Sequence, residues 1–180
     1  MINKHIVKIL FDNKQIKTRI DEIANWINSN YKNSQEIVFV AVLKGSLIFL
    51  TDLIQQIQVD SMVDCIIAKS YFGGTQSGGE LKVITDIDLK IENKDVILID
   101  DIFDSGITLT KISEHLKLKK PKSLKIITLF YKRGKRKTDI EPDYFGFEVP
   151  DAFLVGYGLD YQEKYRNWPF VAIFDPNKKE

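Results

Sequence analysis

With 180 residues, 44% of them hydrophobic and 28% charged, the chain has the composition of one globular domain with a substantial core. Its formal net charge of +1 gives no overall field that would mark nucleic acid or a membrane surface as the partner, and its single cysteine excludes a disulfide framework. Because no apolar segment is long enough to span a bilayer and the amino end lacks a signal-peptide pattern, we expect a single cytoplasmic domain over residues 1–180.

The first half of the chain alternates between helical and strand patterns. Isoleucines at helical spacing predict an amphipathic helix from about Lys14 to Asn28. The apolar run from Ile37 to Val42 is typical of a strand covered on both faces, and Ser46 to Ile57 has the pattern of a helix. A second strand is expected over Met62 to Ala68, and the glycine-rich stretch from Tyr71 to Glu80 predicts a loop.

The second half continues this alternation. We expect one further helix, which begins at Ser105 and is stopped by Pro121. The expected strands are Lys82 to Asp88, Val96 to Asp100, Lys125 to Tyr131, Ala152 to Tyr157 and Phe170 to Phe174. The whole pattern predicts an α/β fold in which helices flank a mostly parallel, twisted sheet.

The segment VILIDDIFDSGIT, from Val96 to Thr108, carries the strongest functional signal. Its apolar strand ends on Asp100 and Asp101, and adjacent carboxylates repel each other. A third acid, Asp104, follows shortly after. A cation or a hydroxyl-rich ligand is therefore expected beside these acids.

The turn after the acids has the chemistry of an anion site. It enters a helix whose first backbone N–H groups have no partner within the helix, and Gly106 allows a ligand to approach the backbone closely. Ser105, Thr108 and Thr110 add hydroxyl groups. A phosphate would suit this turn, although a plain polar turn with Ser105 as the helix cap is the alternative. The sequence lacks a Walker A motif and a GxGxxG after a strand, which disfavours those nucleotide-binding folds.

The same segment resembles the phosphoribosyl-pyrophosphate (PRPP) binding motif of type I phosphoribosyltransferases: an apolar strand, two acids, two apolar residues, then Asp-Ser/Thr-Gly-x-Thr. Within that class the chain resembles the hypoxanthine-guanine phosphoribosyltransferases. The further matches, in the family's order, are VLKGS, SYFGGTQSGG, YKR and PDAFLVGYGLDYQEKYR. One departure is Asp100, where many family members carry Glu, and we expect it to alter hydroxyl and metal geometry without loss of function.

The resemblance implies a type I phosphoribosyltransferase-like fold with a small hood formed by the terminal segments. It implies a purine salvage enzyme that transfers the 5-phosphoribosyl group from PRPP to hypoxanthine and also to guanine, giving IMP or GMP and pyrophosphate. It further implies Mg²⁺ as the cofactor, PRPP and a 6-oxopurine as small-molecule partners, and a homodimer or homotetramer.

The resemblance also implies roles for individual residues. Asp104 is the catalytic base or acid at the purine N7. The residues implied for the ribose 5-phosphate are Asp100, Asp101, Asp104, Ser105, Gly106, Ile107 and Thr108. Those implied for the diphosphate are Lys44, Gly45, Ser70, Tyr71 and Arg166. The purine is assigned to Lys132, Phe153, Leu154 and Asp160, and the metal to Asp100, Asp101 and Asp160.

Three finer expectations accompany these roles. The Lys44-Gly45 peptide can be cis in the family. The loop from Tyr71 to Glu80 is expected to close over the reacting centre, with an ordinary hairpin loop as the alternative. In the basic run KRGKRK, Lys132 is assigned to the purine 6-oxo group, whereas Lys135 to Lys137 are assigned to solvent or a subunit contact.

Two other functions stay open on the sequence. One is a regulator that senses PRPP and binds RNA, for which the basic run Lys132 to Lys137 is the best signal. The near-neutral charge and the presence of Asp104, Phe153 and Arg166 argue against nucleic acid as the partner. The other is a phosphoribosyltransferase that prefers xanthine or a pyrimidine, which Lys132 and Phe153 together disfavour.

Overall fold

The structure is a computed structural model in which residues 4–71 and 80–178 are described. In chain order the elements are β1 (Ile6–Phe11), α1 (Asn13–Tyr31), β2 (Ile37–Leu43), α2 (Leu47–Ile54), β3 (Ser61–Tyr71), β4 (Glu80–Thr85), β5 (Asp95–Phe103), α3 (Ile107–Lys117), β6 (Ser123–Tyr131), a short 3-10 helix (Arg133–Lys135), β7 (Tyr144–Glu148), β8 (Leu154–Val155) and β9 (Val171–Phe174). Within the described ranges, no helix is both long and apolar enough to cross a membrane.

The central sheet has six strands in the order β4-β3-β2-β5-β6-β7. All neighbouring pairs are parallel except β3 and β4, which confirms the expected mostly parallel sheet. From β2 the chain adds strands toward one edge, and from β5 it adds them toward the other. The strand order therefore reverses between β2 and β5, and open α/β sheets bind ligands in the crevice beyond the carboxyl ends of such a pair.

The terminal segments form a second, three-stranded antiparallel sheet in the order β1-β9-β8. This sheet is the small hood that was expected from the two ends of the chain. It places β8, and with it the segment that follows residue 150, beside the carboxyl ends of the central strands.

Two apolar cores cover the two faces of the central sheet. Phe39 and Ala41 of β2 pack with the buried face of α1 and with α2, whereas Val38 and Val40 pack with α3. Successive residues of a strand point to opposite faces, so β2 must be apolar at every position. This explains the uninterrupted run IVFVAV that the sequence shows.

Most predicted elements are present, with shifted ends. Helix α1 begins at Asn13 because Asp12 and Gln15 form a capping box, in which each side chain accepts a hydrogen bond from the other's backbone N–H at 2.8 and 3.0 Å.

Strands β1 and β7 were not predicted. Strand β1 is mostly exposed with a lysine at its centre, and β7 contains Gly146, which is uncommon inside strands.

Asp95 fixes the start of β5. Its carboxylate accepts hydrogen bonds from the Ser34 hydroxyl at 2.9 Å, the Lys122 ammonium at 2.9 Å and the Ser123 hydroxyl at 2.7 Å. Burial acts to raise the pKa of Asp95, but these hydrogen bonds outweigh it, so the pKa lies below its ordinary value.

Replacing Asp95 by Ala is expected to lower the free energy of unfolding by about 2–3 kcal/mol at pH 7, because hydrogen bonds to a charged group are lost. Since the pKa of Asp95 is depressed by folding, its ionised form stabilises the protein above the unfolded pKa of about 4, and this contribution is lost as the pH falls below that value. Urea unfolding at pH 7 and pH 3 should show the difference from wild type shrinking at pH 3. Replacement of the exposed Asp139 by Ala is the control, with a change of about 0.5 kcal/mol or less. An Asp95 effect of equal size at both pH values would contradict this account.

Candidate active site

The predicted site residues gather at the carboxyl ends of β2 and β5, where the strand order reverses. Pairing between these strands stops at Ala41 and Ile99. Beyond that point the turn after β2 lies beside the end of β5, and the Asp101 side chain packs against Gly45 in that turn. A Cβ atom added to Gly45 would lie only 1.9 Å from the Asp101 carboxylate, and one added to Gly158 would lie 2.0 Å from the Gly45 carbonyl oxygen. Glycine is required at Gly45 because the Asp101 carboxylate occupies the place of a side chain, and at Gly158 because its backbone meets that of Gly45 with φ +98°.

The structure corrects the position of the cis peptide bond in this turn. The cis bond joins Leu43 to Lys44, one residue before the expected Lys44-Gly45 bond.

Asp100 and Asp101 lie within β5, whereas the sequence predicted that the strand ends on them. The strand continues to Phe103 because Ile102 and Phe103 still pair with β6. Asp101 is buried and Asp100 is partly buried. Burial raises the pKa of both carboxyl groups, and the charge of Asp101 raises the pKa of Asp100 further. The adjacent acids are therefore costly to ionise together without a cation.

This pair of acids fits a Mg²⁺ ion that is held by few protein ligands together with phosphate oxygens from a substrate. No group of three or more metal-ligating side chains occurs among residues 4–71 and 80–178, so a cage built wholly from protein is not present there. Asp160, the third expected ligand, forms an ion pair of 2.8 Å with the Arg166 guanidinium and accepts a hydrogen bond of 2.9 Å from the Glu163 backbone N–H. Its carboxylate is thus already engaged by protein groups.

The start of α3 forms a cleft of about 230 Å³, which we call the α3 cleft. Gly106 occupies the N-cap position with φ +82°, so it, and not Ser105, is the capping residue. The Ser105 hydroxyl accepts a long hydrogen bond of 3.4 Å from the Ile107 N–H. The residues that line the α3 cleft are Asp100, Asp101, Ile102, Asp104, Ser105, Gly106, Thr108 and Leu109.

Two neighbours of this turn differ from expectation. The Thr110 hydroxyl donates to the Gly106 carbonyl at 2.9 Å inside the helix, so it is directed at the backbone and not at the cleft. Ile107 begins α3 but does not line the cleft. Any contact of Ile107 with a ligand would come through its backbone.

A larger cleft of about 570 Å³ adjoins the first, and we call it the large cleft. Its walls are the end of β5, the segment after β6 and the segment around β8. The lining residues are Asp101, Ile102, Asp104, Lys132, Lys135, Asp151, Ala152, Phe153, Leu154, Leu159 and Asp160. Asp101, Ile102 and Asp104 line both clefts, so the two clefts meet at these residues.

Asp104 lies at the junction of the two clefts, between two lysines. One oxygen of its carboxylate, Oδ2, is 3.4 Å from the ammonium of Lys132, and the other, Oδ1, is 3.8 Å from that of Lys135. Lys132 is only 6% exposed, an uncommon burial for a lysine, and such burial requires a charged or polar partner. The backbone N–H of Lys132 donates to the Phe103 carbonyl at 2.9 Å, which fixes this segment against the end of β5.

Phe153 provides an exposed aromatic face on the opposite wall of the large cleft. It remains 49% exposed although it contacts Tyr161 edge-to-face at 5.8 Å between ring centroids. A large exposed aromatic side chain beside a cleft is suited to stacking on a flat ligand.

A third depression of about 330 Å³, the Lys44 pocket, is lined largely by apolar side chains and shares no lining residue with the two clefts. Lys44 and Arg166 both line it. One oxygen of Glu163 is 3.1 Å from the Lys44 ammonium and 3.3 Å from the Arg166 guanidinium, so both cations share one carboxylate. A phosphate oxygen could make the same two contacts.

Two expected diphosphate residues, Ser70 and Tyr71, end β3, and their side chains fall outside the described part of the structure. Residues 72–79, the centre of the expected lid, also lie outside the described residues. The strands on either side pair as a hairpin, with Tyr71 opposite Glu80.

Sequence reasoning missed several residues of the clefts. Lys135 was assigned to solvent or a subunit contact, yet it lines the large cleft. Asp151, Leu159 and Glu163 were not singled out. A basic residue in a basic run, or an acid after a proline, carries no spacing signal that would separate it from an ordinary surface charge.

Comparison with known proteins agrees with this geometry. The family model described as a phosphoribosyl transferase domain matches residues 7–162. The hypoxanthine-guanine phosphoribosyltransferase of Bacillus subtilis is 42% identical over 98% of this chain and 97% of its own length.

Solved structures give the same result. A crystal structure of a hypoxanthine-guanine phosphoribosyltransferase from Bacillus anthracis, with a HEPES molecule in the active site, superimposes with a TM-score of 0.90 at 44% identity and covers 94% of this chain and 99% of that one. A hypoxanthine phosphoribosyltransferase from Staphylococcus aureus gives a TM-score of 0.91 at 41% identity, covering 96% and 93% of the two chains. The chain belongs to the phosphoribosyltransferase family.

Proposed function

We propose that the protein is a Mg²⁺-dependent purine salvage enzyme that transfers the 5-phosphoribosyl group of PRPP to hypoxanthine and to guanine. The products are IMP or GMP, and pyrophosphate. The observation that carries this proposal is the position of Asp104, whose carboxylate lies between an anion-binding helix start and a cleft with a buried lysine and an exposed aromatic ring. The near-complete match to relatives named for this activity supports it.

The α3 cleft would hold the 5-phosphate of the ribose. Ser105, Gly106 and Thr108 line this cleft where α3 begins, and the N–H groups of the first helical turn together with the helix dipole favour an anion there. Gly106 permits the φ of +82° with which the backbone turns into α3.

Asp100 and Asp101 would hold the ribose hydroxyls and a Mg²⁺ ion. When bound, the metal would supply positive charge that offsets the repulsion between the two acids and the charge of the pyrophosphate. Asp160 would serve this site only by exchanging its present contact with Arg166.

The large cleft would hold the purine. Phe153 would stack on the ring, Leu154 would offer its backbone to the base edge, and the ammonium of Lys132 would donate to the 6-oxo group. Because adenine has an amino group at that position, which also donates, Lys132 disfavours adenine. Asp104 would then lie near N7 and could take its proton while N9 forms a bond to C1 of the ribose.

The turn after β2, where Gly45 lies against the Asp101 carboxylate, would take the departing pyrophosphate. The bond from C1 to the pyrophosphate oxygen breaks in this reaction, and negative charge grows on the leaving group. Lys44 and Arg166 provide cations for it, while the Gly45 backbone and the end of β3, with Ser70 and Tyr71, would complete the surroundings. The Glu163 carboxylate, which now contacts both cations, would have to move away from them when pyrophosphate is held there.

We also propose that the enzyme works as one domain in the cytoplasm and assembles as a homodimer or homotetramer. The support for the assembly is the family resemblance. The free Cys65 is compatible with a reducing compartment.

Product analysis tests the proposed reaction. The protein is incubated with PRPP, Mg²⁺ and one of hypoxanthine, guanine, xanthine or adenine, and the nucleotides are separated by chromatography. We expect IMP and GMP, with adenine the poorest acceptor, and no product when Mg²⁺ is chelated. Preferential formation of xanthosine monophosphate would change the substrate assignment, and no nucleotide from any base would overturn the function.

A further inference from the structure

Lys135 differs from its neighbours in the basic run Lys132 to Lys137. Arg133 and Arg136 form ion pairs with Glu141 and Glu148, which do not line the large cleft. The short 3-10 helix turns Lys135 the other way, so that its ammonium lies 2.9 Å from Asp151 and 3.8 Å from Asp104. Lys135 is therefore a second lysine of the large cleft, after Lys132.

The two lysines face different oxygens of the Asp104 carboxylate. Lys132 is nearest to Oδ2, and Lys135 is nearest to Oδ1. Oδ1 is enclosed by the protein and accepts no hydrogen bond. In the proposed complex with a 6-oxopurine, the Lys132 ammonium turns toward the 6-oxo group. Lys135 is then the cation that remains beside the Asp104 carboxylate.

We propose that Lys135 is a positioning residue for Asp104. Asp151 holds the Lys135 ammonium from the wall that also carries Phe153, so Lys135 links the two walls of the large cleft. Through this link it keeps the Asp104 carboxylate directed at the purine N7 when Lys132 has moved away. This inference rests on the proposed role of Asp104 in the transfer to a 6-oxopurine.

The expected loss of kcat on removal of Lys135 follows from the solvent exposure of its ion pairs. The side chains of Lys135, Asp104 and Asp151 are 42%, 44% and 59% exposed, so solvent screens these ion pairs. Exposed pairs are worth at most about 1 kcal/mol, which corresponds to about fivefold in a rate. Lys135→Met is therefore expected to lower kcat by about fivefold.

Steady-state kinetics with hypoxanthine and PRPP test the proposal. Lys135→Met should lower kcat while the KM for PRPP changes by less than about twofold, and Lys135→Arg should restore most of the rate because it keeps the charge. Lys125→Met is the matched control. Lys125 forms an ion pair of 2.7 Å with Asp143 and is 46% exposed, but it lies near the start of β6, away from the clefts. The kcat of the Lys125→Met variant should equal that of wild type.

A double-mutant cycle gives the decisive comparison. In an Asp104→Asn background, Lys135→Met should change the residual rate by less than about 1.5-fold, because the group that it positions is gone. A fivefold loss in both backgrounds would show that Lys135 acts independently of Asp104 and would overturn the proposal, as would a Lys135→Met variant with wild-type kcat. If the wild-type protein makes no IMP, the proposed function itself fails, so the two failures are distinguishable.

Discussion

Replacement of Asp104 by Asn is expected to lower kcat by about a hundredfold, the lower part of the range for loss of a general acid–base group. Asparagine has almost the same shape and can still form hydrogen bonds, but it cannot take the proton from the purine N7. The flanking lysines would lose a charged neighbour on one side of the large cleft. The α3 cleft, in which the donor is proposed to bind, would keep its shape, so the effect should fall on the chemical step.

The measurement is steady-state kinetics with hypoxanthine, combined with calorimetric titration of PRPP and Mg²⁺. We expect the dissociation constant of PRPP to change by less than about threefold, since a change confined to kcat marks a group that acts only in the transition state. Asp139→Asn, at an exposed acid of the same region, is the control and should match wild type. Full activity in Asp104→Asn would show that Asp104 is not the general base or acid at the purine N7.

Replacement of Gly106 by Ala is expected to disable the α3 cleft and to destabilise the fold. Gly106 has φ +82°, a conformation that costs a residue with a side chain about 1–2 kcal/mol. A Cβ atom here would lie 2.4 Å from the Thr138 hydroxyl and 2.6 Å from the Phe103 ring, so the turn must move. With about 1–3 kcal/mol for such overpacking, we expect a total loss of about 2–5 kcal/mol in the free energy of unfolding.

The same substitution should raise the dissociation constant of PRPP at least about tenfold, because the N–H groups of the turn no longer converge on one phosphate. Gly134→Ala is a matched control, since a Cβ atom there meets nothing within 4 Å and its backbone does not have a positive φ. Urea unfolding and calorimetric titration of PRPP on the folded protein measure the two effects separately. A Gly106→Ala variant that binds PRPP as wild type does would show that the phosphate is held elsewhere.

The sequence predicts well those elements whose apolar pattern is dictated by the core. The isoleucines of α1 and the continuous apolar run of β2 face buried surfaces on one or both sides, so their spacing reflects the structure directly. The turn at Gly106 was also predictable, because acids, hydroxyls and a glycine follow a buried strand. The end of β5 was misplaced because two acids resemble a strand end, whereas pairing with β6 continues past them.

Other features depend on contacts that are distant in the chain. Strand β1 exists because β9 pairs with it, and its own exposed residues give no alternating pattern. Lys135 reaches the large cleft because a 3-10 turn changes the direction of the basic run. The sequence pattern does not predict this turn. Glu163 pairs with Arg166 and also with Lys44, which lies 119 residues away in the sequence, a contact that only the folded structure reveals.

We expect a sugar-phosphate donor to bind where β5 meets α3. A crystal structure of the protein with PRPP, Mg²⁺ and a purine analogue that cannot react would test this position. The 5-phosphate should lie on the backbone of residues 105–108, with the ribose hydroxyls beside Asp100 and Asp101. A structure with PRPP bound at another position and this turn left without ligand would contradict it.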